Sequence, residues 1–432
     1  MVQMIKCRNC KSNKLVKVIY VGSQVVSSIF PKKKVNNSKK YSLDLYECKK
    51  CKLIQLGKSI PLGNMYGETY GYRSSLSKLM VNHLQQKFLK LKKIVNLKKQ
   101  SNILDIGSSD STFLNFFSNE KKNYNCFGID PSAKKYLKYY NKDVNLIVDY
   151  FSAKSVKSEI DKIKLINKKF KLISSFAMFY DIDDPNKFCK DIKSLLEKNG
   201  IWILEMSYFP MLLSNLTYDQ ICHEHVTYYT LSVFKNIVEK NGLKIIDFSF
   251  NIINGGSIEI VCAPKKSTIK PNVKKISNQI EIEKKITSHD YKKFNLRVDN
   301  IKKTTNMLLE NIRKAKNKVI GYGAATKGNI VLNHCQIDSN KIPIICDENE
   351  EKFSRYTPGS NIKIISKKDM RKINPDYLLV LIWSFKTEVI KQEINYIKNG
   401  GKLIFHLPFL HIVDKENYTN HLNDNFEAFS YK

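Results

Sequence analysis

The chain spells out the same alternation twice: an apolar run, a turn with glycine or an acid, then a stretch with apolar residues at helical spacing. In the first series SNILDIGSSD reads as strand and turn, TFLNFFSNE as helix, YNCFGIDPS as strand and turn, KKYLKYYNK as helix and NLIVDYF as strand. FKLISSFAMFYD follows as a strand, then a helix from Pro185 to Lys198 and the strand IWILEMSYF. In the second series KVIGYGAATKG is strand and glycine turn, NIVLNHC helix, and IPIICDEN and YLLVLIWSF strands; TEVIKQEINYIKNG is helix and KLIFHLPF strand. A helix between two strands carries the chain back to its starting edge, so the strands run parallel. The stable outcome is a doubly wound sheet with helices on both faces. The predicted fold class is α/β, with two such sheets.

Ahead of the first series stand Cys7, Cys10, Cys48 and Cys51, two C-x2-C pairs with 37 residues between them. Two such knuckles suit a tetrahedral Zn2+ ion, with a redox pair or idle thiols as the alternatives. Four sulfur ligands leave no position for water, so the ion is structural. Apolar residues at 76, 80, 84, 88, 91 and 95 predict a helix within residues 60–100. Residues 266–315 are polar and lysine-rich and predict a helical connector. The expected organisation is a zinc module over 1–60, a central α/β domain over 61–265, the connector, and a C-terminal α/β domain over 316–432.

Composition narrows the function classes. Of 432 residues, 42% are hydrophobic, which fits two or three packed domains, and no apolar run reaches the ~18 residues of a membrane span. No membrane partner is expected. The first residues, MVQMIKCRNC, lack an apolar signal core, so the expected location is cytoplasmic. With 73 basic and 40 acidic residues the net charge is +33. The lysines lie in short scattered runs in a chain also rich in Asn and Ile, which reads first as compositional bias and second as selection for an anionic ligand.

Two stretches carry chemistry. In ILDIGSSDSTFL a strand ends at Asp105-Ile106-Gly107 and runs into a helix; the next strand ends at Asp130. Ligands of doubly wound sheets sit at such strand ends. A dinucleotide site would show G-x-G-x-x-G, but this loop has one glycine. An acidic strand end followed by a second carboxylate able to accept ribose hydroxyls suggests S-adenosylmethionine; a structural turn is the alternative. In YDQICHEHVTYYT, His223 and His225 flank Glu224, with Tyr228 and Tyr229 following. Histidine beside a carboxylate suits general-base work. A metal site or a packed histidine pair are the other readings.

These segments resemble the sugar C-methyltransferases that act on nucleotide-linked 4-keto-6-deoxyhexoses. The resemblance spans nearly the whole chain. CRNCKSNKLVKVIYVGSQVVSSIFP and YECKKCKLIQL resemble the family's zinc module, MYGETYGYRSS its tyrosine-rich segment, ILDIGSSDSTFL its cofactor loop and ICHEHVTYYT its catalytic stretch. NGGSIEI resembles its H-G-G-S segment, and GYGAATKGNIVLNHC with YTPGSNIKI its C-terminal Rossmann-like domain. The resemblance implies a class I Rossmann-like methyltransferase domain, S-adenosylmethionine as cofactor and a structural Zn2+. It implies His225 as the base that removes a proton next to a ketone, with Glu224 orienting or tuning it. His223 and Tyr228 join the catalytic group, and Tyr70 or Tyr72 reaches the site. Asp105, Gly107, Ser109, Asp130 and Met178 are the expected cofactor contacts, and Tyr70, Asn254 and Lys327 the expected contacts to the nucleotide sugar. Lys327, near a helix start, could hold a phosphate; a purely structural turn is the equal alternative there.

The chain departs from the family at Cys222, where a tyrosine is common, at Ser108-Ser109-Asp110-Ser111, where S-N-D-G is common, and at Asn254, where many members have histidine. Cys222 reads as a small packing residue. These departures leave the sugar and the methylated carbon open. The rival readings are an RNA methyltransferase, for which no D-P-P-[YF] or Pro-Cys motif is present, and a non-catalytic homologue that binds a nucleotide sugar. A monomer or homodimer is expected.

Overall fold

The computed structural model describes residues 5–60, 73–121 and 123–422. The N-terminal module holds β1 (Leu15–Ile19), β2 (Ser23–Gln24), β3 (Tyr41–Ser42), β4 (Leu45–Cys48) and β5 (Ile54–Leu56). Strands β1, β4 and β5 pair antiparallel, and β2 pairs with β3.

The first α/β series forms β6 (Asn102–Ile106), β7 (Asn125–Ile129), β8 (Val144–Ile147), β9 (Phe170–Phe176) and β10 (Leu196–Ser207). The short β11 (Thr227–Tyr228) leaves this sheet and pairs with β5 of the N-terminal module. The hairpin β12 (Leu243–Asn251) and β13 (Ser257–Pro264) returns to it, giving seven strands in the order β8-β7-β6-β9-β10-β13-β12. The pairs β8-β7, β7-β6, β6-β9 and β9-β10 are parallel; β13 is antiparallel to both its neighbours. The winding direction reverses between β6 and β9, which opens a crevice at their carboxyl ends.

The second series forms β14 (Val319–Tyr322), β15 (Ile344–Asp347), β16 (Lys363–Ser366), β17 (Tyr377–Val380), β18 (Lys402–Phe405) and β19 (His411–Val413). Their order is β16-β15-β14-β17-β18-β19, parallel except for β19, and the reversal falls between β14 and β17. The α/β class expected from the alternation is the observed one.

Local sequence explains most elements. The 3–4 periodicity after residue 76 becomes the helix Lys78–Ile94, capped by the Ser77 side chain, which accepts from Met80 N; it buries Met80, Leu84, Phe88 and Leu91. The connector is two helices, Val273–Glu283 and Ser288–Lys314, the second opening on a capping box of Thr287 and Asp290. Its Phe294, Val298, Ile301, Leu309 and Ile312 enter a core shared by β1, the segment Phe209–Cys222 and the C-terminal sheet. KKYLKYYNK, expected as an α-helix, is a 3-10 turn over Ala133–Tyr139. The β12–β13 hairpin was not legible, because Ser257–Pro264 is buried throughout and shows no alternation. No helix among the described residues is long and apolar enough to cross a membrane.

A charged cluster ties the helix Lys78–Ile94 to the central sheet. Glu205 and Glu259 face each other across β10 and β13. Lys87 Nζ bridges them, at 2.6 Å from Glu205, and His83 Nε2 lies 3.0 Å from Glu205. Burial by itself raises the Glu205 carboxyl, but Lys87 and His83 outweigh it and hold it at about 2. Lys87→Met removes the buried cation shared by Glu205 and Glu259, leaving only His83 to the first and the half-exposed Lys90 to the second, and should destabilise the chain by about 3–5 kcal/mol in urea unfolding. In the wild type, the Glu205 contribution is complete above about pH 4.5 and is lost as pH falls toward about 2. The variant should not show this loss, and an unchanged acid profile contradicts the assignment.

Candidate active site

The four sulfurs of Cys7, Cys10, Cys48 and Cys51 lie within 4.8 Å of one another, with Cys7–Cys51 and Cys10–Cys48 at 3.5 Å. Tetrahedral Zn–S geometry separates sulfurs by about 3.8 Å, so the cage fits the ion. Both knuckles close alike. Lys11 N donates to Cys7 O and Cys7 N to Ser12 O; Lys52 N donates to Cys48 O and Cys48 N to Leu53 O. Lys11 and Lys52 take φ of 61° and 62°. Arg8, inside the first knuckle, donates to Leu56 O and pairs with Asp183 at 3.0 Å, beyond the end of β9. The zinc module therefore braces the carboxyl edge of the central sheet.

At that edge the structure brings Gly107, Ser109, Asp130 and Met178 together. Gly107 has φ +74°, and Met178 packs over the place its Cβ would occupy. Ser109 N donates to Asp130 Oδ2 at 2.9 Å; Ser132 N and Oγ donate to Oδ1 at 2.7 and 2.6 Å. A carboxylate has about four acceptor sites, so Asp130 keeps one for a ligand hydroxyl. The Ser109 hydroxyl is buried without a partner among the described residues. Ser109 and Ser111 hold φ of 46° and 63°, so two serines carry the left-handed turn that glycine serves at less cost. An acceptor to spare and an unpaired hydroxyl beside a glycine turn fit the ribose and methionine parts of S-adenosylmethionine. Asp105 lies one step back. It accepts from Ser174 Oγ at 2.6 Å, and burial with nearby Asp130 raises it to about 7.

The His223–His225 loop is held from three sides. After it, Thr227 and Tyr228 pair with Gln55 and Ile54 of β5. Before it, Gln220 Nε2 donates to Asn254 O. Within it, His225 Nδ1 lies 2.7 Å from Gln220 O. A carbonyl only accepts, so Nδ1 carries the hydrogen and Nε2 keeps its lone pair. Burial, then the Lys327 charge, push His225 down to about 3, so the ring is neutral near pH 7. The Tyr180 ring packs against it at 4.1 Å. The expectation that Glu224 orients His225 is corrected here: the Gln220 main chain does so, and both Glu224 oxygens are buried without a partner among the described residues.

A cavity of about 840 Å3 joins the two sheets. It is lined by Tyr180, Glu224 and His225 on one side and by Gly323, Lys327 and Asp347 on the other, and it reaches Ala177 beside Met178. Lys327 Nζ donates to Asn254 Oδ1 at 2.7 Å, and both residues line the cavity. His223 and Tyr228 do not line it. His223 Nε2 turns to Tyr41 O at 3.3 Å, and the Tyr228 hydroxyl donates to Gln220 O at 3.4 Å. Cys222 is buried and also lines the cavity, and burial with nearby Glu224 puts its thiol well above the usual range. Tyr70 and Tyr72 lie outside the described residues.

Asp219 and Asp347 are among the acids on this cavity that sequence reasoning missed. Asp219 accepts from Trp383 Nε1 at 2.8 Å, while its other oxygen is buried and unpaired among the described residues. Its signal was its place in the same D-Q-I-C-H-E-H block. Asp347 ends β15 as Asp130 follows β7, and IPIICDEN carried that parallel.

Three family models cover most of the chain. A zinc binding domain matches residues 7–66, a methyltransferase domain 79–247 and a C-methyltransferase C-terminal domain 252–408. C-methyltransferase NovU of Streptomyces niveus is 24% identical over 415 residues, 95% of this chain and 97% of that protein. A tRNA U34 carboxymethyltransferase of Campylobacter jejuni is 27% identical over 177 residues, 38% of this chain and 58% of that protein. Among solved structures, the plantazolicin methyltransferase BpumL in complex with SAH aligns with a TM-score of 0.33 at 14% identity, covering 43% of this chain and 84% of that one.

Because β11 hangs on β5, losing the metal should loosen the loop as well as the module. Cys51→Ser, or chelation of the wild type, should release one zinc per chain and lower the melting temperature. Amide exchange at residues 54–56 and 227–228 should quicken together. Quickening confined to residues 5–60 contradicts this coupling.

Proposed function

The chain belongs to the C-methyltransferase family and uses S-adenosylmethionine, and on that premise we propose that it methylates the carbon next to the ketone of a nucleotide-linked keto-deoxy sugar, with His225 as general base. The observation that carries this reading is the neutral His225 imidazole on the cavity wall, with Nδ1 committed to Gln220 O and Nε2 unpaired among the described residues. A base must hold a free lone pair aimed at the proton it takes. Hydrogen on a carbon next to a ketone is acidic because the electron pair left behind spreads onto oxygen.

When bound, S-adenosylmethionine supplies an electrophilic methyl group, and the electron pair of the cleaved S–C bond stays on sulfur. Gly107, Ser109, Asp130 and Met178 would hold it, with Asp105 bracing the loop from below. Glu224 lines the cavity, and its two oxygens, unpaired among the described residues, would accept from sugar hydroxyls. Tyr228 and His223 position the loop. The cavity spans the strand ends of both sheets, which suits a two-ended ligand: a sugar near His225 and a nucleotide toward Gly323 and Asp347. Substrate and base held in one cleft supply much of the acceleration.

The net charge of +33 and the partial similarity to a tRNA U34 carboxymethyltransferase favour a nucleic-acid substrate, and RNA binding that falls steeply with salt would support that second reading.

Incubation with labelled S-adenosylmethionine and a panel of 4-keto nucleotide sugars should give a product one methyl heavier by mass spectrometry; a panel without product contradicts the reading. His225→Ala should lower turnover by at least about 10²–10⁴-fold and leave cofactor affinity within about twofold, and parallel loss of both contradicts the role. Asp130→Ala should weaken cofactor binding by roughly 10–100-fold in calorimetry, as loss of a hydrogen bond to a charged group implies. With the base neutral down to about pH 3, kcat should be flat between pH 5 and pH 8; an acid limb near pH 6.5 contradicts it.

A further inference from the structure

We propose that Lys327 is a further catalytic residue, whose ammonium group holds the ketone oxygen of the substrate and stabilises the enolate that forms there. The proposal rests on the C-methyl transfer reading above and assigns its missing half, the group that receives the developing negative charge.

Placement comes first. Gly323, at φ +88°, turns the chain out of β14, and Lys327 follows in the first turn of the helix Thr326–Cys335. From there its side chain lines the same cavity as His225, although one residue follows β14 of the C-terminal sheet and the other precedes β11. Lys327 Nζ donates to Asn254 Oδ1 at 2.7 Å; Asn254 O accepts from Gln220 Nε2, and Gln220 O accepts from His225 Nδ1 at 2.7 Å. Two residues, Asn254 and Gln220, therefore fix the ammonium and the imidazole relative to each other. Asn254 does this at φ 57°, a left-handed conformation that asparagine tolerates better than most residues.

An ammonium group has three donors, and among the described residues one is taken, by Asn254. Burial lowers the Lys327 pKa from its ordinary value, and the nearby Asp219 carboxylate, held by Trp383 Nε1, opposes that shift and favours the ammonium form. A phosphate ligand would be expected to meet the glycine turn and the helix start, whereas this ammonium is drawn toward the loop that carries the base.

The chemistry asks for such a cation. An imidazole with its conjugate acid near 3 is a weak base, so the carbon acid must be made stronger. A buried cation on the ketone oxygen does that, and it acts where the low dielectric makes it most effective. In the step itself the C–H bond breaks, its proton goes to His225 Nε2, and its electron pair moves onto the ketone oxygen. The new negative charge lies between imidazolium and ammonium, so the product pair is stabilised from both sides.

The test separates this role from phosphate binding and from failure of the broader reading. Wild type, Lys327→Met and Lys327→Arg are incubated in D2O with S-adenosylhomocysteine and each sugar of the 4-keto nucleotide panel. Deuterium entering the carbon next to the ketone is followed by mass spectrometry, and kcat for methyl transfer is measured alongside. The expected result is a drop of about 10²–10³-fold in both rates at saturating sugar for Lys327→Met, with cofactor affinity and zinc content unchanged. Lys327→Arg, which keeps the charge, should retain more of both. If Lys327→Met does not fold, Lys327→Gln replaces it. Exchange and kcat at wild-type level with only KM raised overturn the proposal in favour of a binding role. A wild type that neither exchanges nor methylates any sugar overturns the C-methyl transfer reading, and this proposal with it.

Discussion

The site depends on one hydrogen bond inside a loop. Gln220 O accepts from His225 Nδ1, and that bond decides which ring nitrogen carries hydrogen, where the ring points and which lone pair is left for chemistry. The same carbonyl accepts from Tyr228, and the same residue's side chain reaches Asn254. A main-chain carbonyl is an effective anchor because its position is set by backbone that is itself held, here by β11 pairing with β5. That sheet also holds β4, which ends at Cys48 of the four-cysteine cage, so the cage and the His223–His225 loop are tied to one sheet.

Two doubly wound sheets meet at their switch points, and the cavity lies where they meet. The central domain brings Ala177, Tyr180 and His225 to it, the C-terminal domain Lys327 and the acidic strand end Asp347. The long helix Ser288–Lys314 holds the arrangement together, with Asn295 bonded to Tyr20 N and Val18 O of the zinc module and Phe294 in the shared core. Neither sheet encloses the site by itself. Enclosure also explains the electrostatics: burial drives His225 toward neutrality and lowers the Lys327 pKa as well, while the Asp219 carboxylate works against that second shift.

Much of this was legible in the residues. Strand, turn and helix alternation carried both sheets, because each element's apolar period is set by its own geometry. The four cysteines were legible because metal ligands need fixed local spacing. Gly107 and Asp130 followed from strand ends. Other features depend on tertiary contact and leave no local trace. Nothing in H-E-H says that His225 bonds the Gln220 carbonyl and not Glu224, or that His223 faces Tyr41, since neighbouring side chains in an irregular loop can point anywhere. The hairpin β12–β13 hid behind uniform burial, and β11 is two residues long and gains its identity from a partner over 170 positions earlier. The serines at 109 and 111 occupy a turn in which sequence alone favours glycine.

The central claim is that His225 Nε2 faces the carbon that loses its proton. A crystal structure of the chain with S-adenosylhomocysteine and a nucleotide-linked 4-keto sugar tests it most directly. The account predicts Nε2 about 3–3.5 Å from the carbon next to the ketone, with Nδ1 still on Gln220 O. A sugar bound elsewhere, or an imidazole turned from it to bond the protein or an ion through Nε2, contradicts it.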